Sequence, residues 1–154
     1  MDPSTTPTVF GRSLRLADGD LPFEEGDLSM IAGRENFLQG MEVMIETPFA
    51  TDVFNVNYGF DILGILSTPD SVNHIKSLIR LNIVKSISQD NRVREITEVV
   101  FDDEDRFFEL QPDQTADEHR QTRKRERRWQ ALVVLQTITE GEVVLRLDGT
   151  GVNI

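Results

Sequence analysis

The order of two periodicities along the chain is what most limits its fold. Apolar side chains recur at three- and four-residue steps up to residue 88, and from residue 92 onward they gather into β-branched runs. From Ser29 to about Thr47, Phe37, Leu38, Met41, Met44 and Ile45 form one helical stripe, Glu35, Gln39, Glu42 and Glu46 take the other face, and Pro48 closes the helix. A second helix is expected from Pro69 to about Ser88 on Val72, Ile75, Ile79 and Ile83, with Leu78 and Ile87 beside them. Thr68-Pro69-Asp70 supplies a capping hydroxyl, a first-turn proline and an early acid. Strands are expected over residues 92–101, 129–139 and 142–147, the last two joined as a hairpin at Glu140-Gly141. Helices followed by strands, rather than alternating with them, predict an α+β fold: two amphipathic helices packed on a small antiparallel sheet.

Outside these elements the chain divides into segments of distinct chemistry. Residues 1–30, with Pro3, Pro7 and the acidic stretch ADGDLPFEEGD, are expected to form an extended arm, with one strand possible over Val9–Leu16. Residues 31–154 are expected to form a single domain. The connector from Phe49 to Ser71 holds Val53, Phe54, Val56, Tyr58 and Phe60. That is too much apolar content for a solvated loop, so it is expected to pack on the core, with a turn at Gly59 and a helical turn over 61–66. A charged excursion fills residues 102–128. Its acidic part holds Asp102, Asp103, Glu104, Asp105, Glu109, Asp113 and Asp117, and its basic run RQTRKRERR (120–128) has six basic side chains and one acid. Arg123, Lys124, Arg125, Arg127 and Arg128 are therefore candidates for electrostatic docking against that acidic stretch or an acidic neighbour.

The absence of cysteine excludes disulfides, thiolate zinc sites, iron–sulfur clusters and cysteine nucleophiles, and only His74 and His119 could offer imidazole. No cofactor is expected. A net charge of −11 argues against a nucleic-acid partner. No run approaches the roughly 20 apolar residues of a membrane span, and the polar start MDPSTTPTVFGR lacks the pattern of a secretory signal, so assembly in the cytoplasm without a membrane partner is expected.

Residues Glu35 to Val100, about two-fifths of the chain, resemble the gene-product-25-like family of contractile-tail baseplates, found in contractile phages, type VI secretion and extracellular contractile injection systems. The resemblance rests on an amphipathic helix ending in Ile45-Glu46-Thr47, a connector reaching Tyr58-Gly59-Phe60, the helix 69–88, and Asp90-Asn91-Arg92-Val93 running into a strand. Family members carry Glu-Pro-Arg at that last position; this chain keeps the acid and the arginine and lacks the proline. A Gly-Glu pair that many members show after the first helix is replaced by Pro48-Phe49-Ala50-Thr51-Asp52, and the arm and excursion exceed a minimal member.

The resemblance implies a fold like the handshake domain of tail-sheath proteins and a structural, non-enzymatic role in joining the baseplate wedge core to the first sheath ring. Asp90, Asn91 and Arg92 would meet the wedge core bundle. Val143, Val144, Leu145, Arg146 and Leu147 would offer a sheet edge for strand exchange that nucleates the sheath. Expected partners are the sheath protein, larger wedge subunits and a spike or hub protein, in sixfold copies. The particle could be a phage tail, a type VI system or an extracellular injection system, and the long arm and excursion favour the last. The bland alternative makes Asp90-Asn91 a simple turn and Arg92 an exposed strand residue. A different function class, a baseplate-associated lysozyme-like peptidoglycan hydrolase, would need two carboxylates facing a sugar, one of them buried. Glu42 and Glu46 lie one helical turn apart on a polar face with no apolar flank, and Asp18-Gly19-Asp20 lacks the later ligands of a calcium loop.

Overall fold

The computed structural model describes residues 9–67, 71–111 and 128–150, and shows an α+β chain. It divides into two compact units between Val43 and Met44, so the first unit extends beyond the arm expected to end at residue 30. Among the described residues no helix is long and apolar enough to cross a membrane.

In the first unit, β1 (Arg12–Leu14) pairs antiparallel with β4 (Met30–Ala32), with Ser13 opposite Ile31. Between them β2 (Phe23–Glu24) and β3 (Asp27–Leu28) form a hairpin whose turn residues, Glu25 and Gly26, both have positive φ, the geometry that matches strand twist. Helix α1 (Gly33–Glu46) begins four residues later than the expected Ser29, because Met30–Ala32 is recruited into the β1 ladder. Its apolar stripe is buried as the spacing requires: Phe37 stacks on Phe10 at 5.1 Å. Its polar side is not simply solvated. Gln39 accepts from the Leu16 amide (2.8 Å) and donates to the Leu14 carbonyl (2.9 Å), Asn36 donates to the Phe10 carbonyl, and Arg15 pairs with Glu35 at 2.7 Å. Side-chain amides carry both a donor and an acceptor, so Asn36 and Gln39 stand in for a neighbouring strand.

The second unit is built on one antiparallel sheet. Its strands β5 (Val93–Phe101), β6 (Arg128–Thr137) and β7 (Gly141–Thr150) lie in the order β5-β6-β7. The β6–β7 turn has three residues, Ile138 to Glu140, followed by Gly141 at φ +76°. Thr137 Oγ1 closes it by accepting from the Glu140 amide and donating to the Gly141 carbonyl. All of Ala131 to Leu135 is buried, as expected of a central strand covered on both faces. One face gathers Val133, Leu135, Val143, Leu145 and Leu147; on the other, Val100 and Leu132 pack under Phe107 of α4 (Asp105–Leu110). The acidic start of the excursion thus conceals a helix, whose Phe107, Phe108 and Leu110 cover the sheet. Residues 112–127, including Arg123, Lys124, Arg125 and Arg127, lie outside the described residues.

A short helix α2 (Ile62–Leu66) is capped by Asp61, which accepts from the Gly64 amide. The main helix α3 (Val72–Ile87) starts at a Ser71 cap, accepting from the His74 amide, rather than at Thr68-Pro69, which is outside the described residues. Its inward stripe is Ile79, Ile83, Ser86 and Ile87, while Val72 is exposed. Lys76 bridges Asp103 and Glu104 at 2.6 and 2.7 Å, Arg80 meets Glu104 at 2.7 Å, and both cations lie over the Phe101 ring. This clamp fixes α3 against the end of β5 and the start of α4.

Candidate functional site

The corner between α3 and β5 must reverse the chain within a few residues, and Asp90-Asn91-Arg92 makes that reversal. Asp90 donates its amide to the Ile87 carbonyl (3.1 Å) and accepts from the Val93 amide through its own carbonyl (3.0 Å). Its carboxylate accepts from the Arg92 amide at 2.9 Å, an Asx turn, and then takes Arg92 Nε and Nη2 at 2.9 and 2.6 Å. The two side chains are 17% and 23% exposed. Burial by itself would raise the Asp90 pKa; the Arg92 hydrogen bonds outweigh it and hold the carboxyl below its ordinary range. Hydrogen bonding to Asp90 raises Arg92 in turn. The guanidinium edge that could have forked onto a partner's carboxylate is therefore held by the chain's own Asp90, which orients it.

These three residues share the wall of a cavity of about 390 Å³ with Met44, Asn55, Asn57, Tyr58, Gly59, Ser86 and Gln89. The opposite wall is the connector, and its shape is set by backbone hydrogen bonds. Phe60 donates to the Thr47 carbonyl (2.8 Å), Phe49 to the Phe60 carbonyl (3.1 Å) and Ala50 to the Tyr58 carbonyl (3.2 Å). Gly59 sits at φ +105°, and a Cβ there would meet the Thr47 and Pro48 carbonyl oxygens at 2.6 and 2.9 Å, so only glycine fits. Ser86, the one hydroxyl in the buried stripe of α3, donates to the Gly59 carbonyl at 3.1 Å and ties the two walls together. The Tyr58 phenol has its pKa raised, first by burial and then by the charges of Asp52 and Asp90, and stays protonated near neutral pH.

The connector packs on the core in part, through Phe60 and Ile65, but not along its whole apolar length as expected. Phe60 is buried and Tyr58 half-buried, but Val53 and Phe54 are 87% and 101% exposed, and Val56 is exposed too. Asp52 accounts for this by accepting from the Phe54 and Asn55 amides, turning the tip outward.

Asp90, Asn91 and Arg92 are thus brought together at one cavity, whereas Val143, Val144, Leu145, Arg146 and Leu147 lie along β7 and take no part in it. Of the basic run, Arg128 is among the described residues and opens β6, while residues 120–127 lie outside them. Asn55, Asn57, Ser86 and Gln89 were not singled out in the sequence; the interruption of an apolar stripe by Ser86 is the one signal that could have marked them. The cavity presents amides, a phenol and a mutually neutralising ion pair, which suits recognition of polar groups such as a peptide main chain. Comparison of the chain with family models, with curated proteins and with solved structures finds no match.

Proposed function

We infer that the chain is a structural component of a contractile injection machine's baseplate, joining the wedge core to the first sheath ring and nucleating the sheath by strand exchange. The observation that carries this reading is the β7 edge. Ten residues pair with β6 without a bulge on one side, and among the described residues no strand pairs with the other side. Such an edge is a template for β-augmentation. The Asp90-Arg92 corner and its amide-lined cavity offer a separate contact for a wedge subunit. A hydrolase would need a second carboxylate and an acid kept protonated; among the described residues Asp90 is the one carboxylate lining the cavity, and Arg92 keeps it charged.

The cysteine-free background makes the test direct. A single Val144→Cys variant, coexpressed with sheath and wedge proteins of a contractile system and treated with a maleimide–succinimidyl ester crosslinker that joins its thiol to a nearby lysine amine, should form an adduct with a sheath subunit. Absence of that adduct in assembled particles would sink the strand-exchange role. Arg92→Ala should leave the chain folded yet abolish sheathed baseplates; normal full-length sheaths would remove the corner's role.

A further inference from the structure

The two edges of the sheet are managed differently. β5 shifts register twice, between Val93 and Glu95 and between Ile96 and Glu98, and exposes Arg94 and Glu95. Bulges and charges of that kind discourage pairing with another chain. β7 (GEVVLRLDGT) has no bulge, proline or lysine. Its outer face shows Glu142, Val144, Arg146 and Asp148, with Val144 38% exposed, while Val143, Leu145 and Leu147 face inward. The Arg146 guanidinium is held only loosely within the chain, 3.5 Å from Asp148 on the surface.

The geometry points to a second copy of this chain as an occupant of the β7 edge, in an isologous antiparallel pair whose two-fold axis passes through Val144. The pattern of this strand is self-complementary about two residues, Val144 and Leu147. A two-fold axis normal to the sheet keeps each face on its own side, so only residues of like parity stand opposite each other. Centred on Val144, Glu142 meets the partner's Arg146 twice, Val144 meets the partner's Val144, and inward-facing Val143 meets the partner's Leu145. Centred on Leu145, the same strands set Glu142 against Asp148 twice; centred on Arg146 or Glu142, like charges meet at the axis. Opposite charges across a strand pair stabilise and like charges destabilise, which leaves the Val144 and Leu147 centres. About Leu147, Arg146 would meet the partner's Asp148, but Asp148 already accepts from Gln130 and Leu145 would stand opposite Gly149, so the Val144 centre is the better matched. Each copy carries a net charge of −11, and the contact is one strand pair wide, so the dimer is weak and forms at high protein concentration. It closes the edge while no other strand occupies it, whether or not a sheath strand later takes its place.

Sedimentation equilibrium of the full chain alone, from about 10 µM to 1 mM at physiological salt, covers the affinity range of such small contacts. Wild type should show a monomer–dimer equilibrium. Arg146→Glu and Glu142→Arg, each turning two attractive pairs repulsive, should weaken it about tenfold or more. The double variant Glu142→Arg/Arg146→Glu should restore it. Thermal melts and Trp129 near-UV dichroism verify that each variant is folded. A wild type monomeric throughout, a dimer indifferent to Arg146→Glu, or a double variant that fails to recover would each overturn the proposal. Because sheath protein is absent, these outcomes are independent of the sheath-nucleation reading.

Discussion

Asp90 and Arg92 show how one pair can shape a corner and set its response to pH. The Asp90 carboxyl is held below its ordinary range in the folded chain, so its contribution is present above the unfolded pKa and is lost as pH falls through the lower, folded value. Arg92, raised above an already high pKa, stays charged through the whole working range and adds no pH dependence there. Asp90→Asn should therefore cost about 1.5–3 kcal/mol at pH 7, the scale of hydrogen bonds to a charged group. In urea unfolding the gap to wild type should close as acidification carries the folded chain through its lowered Asp90 pKa; a gap of equal size at neutral and at strongly acidic pH would show that the charge is not what matters. The sequence signalled this site through its acid-x-Arg spacing at a helix exit. That spacing allowed Asp90 to orient the guanidinium, but whether the pair closes on itself or faces a partner depends on the turn that Asp90 itself caps.

Among the elements, those with a sustained period were legible and those set by a few polar contacts were not. The stripes of α1 and α3 and the β-branched runs of β5, β6 and β7 follow from burial alone. The starts of α1 and α3 differ from expectation because β4 claims Met30–Ala32 and Ser71 supplies the cap. Val53, Phe54 and Val56 point outward because Asp52 dictates the backbone of the tip, and hydrophobicity does not decide direction in a loop closed by its own hydrogen bonds. α4 was hidden by the charges around it, yet it seals one face of the sheet through Phe107. Phe107→Ala should cost about 3–5 kcal/mol, as for buried phenylalanines generally, and half-buried Phe108→Ala clearly less. Chemical denaturation of both variants checks this, and similar losses would mean that α4 does not anchor through Phe107.

At the scale of the molecule, connection length separates the two halves of the main sheet. Three residues join β6 to β7, whereas 26 separate β5 from β6. Closing the longer loop loses more entropy, so the hairpin should form first and β5 dock later. Val134→Ala in β6 should then mainly slow refolding, and Val99→Ala in β5 mainly speed unfolding, in denaturant-jump kinetics; the reverse assignment would place β5 in the nucleus. The same separation matters while the protein is being made. β5 leaves the ribosome before its partner exists, and at about 5–20 residues per second it waits seconds for β6. Through that interval Val99, Val100 and Phe101 have no strand to pair with, and the acids from Asp102 to Asp105 that follow them directly act as gatekeepers, keeping the nascent strand from associating with another chain until the hairpin arrives.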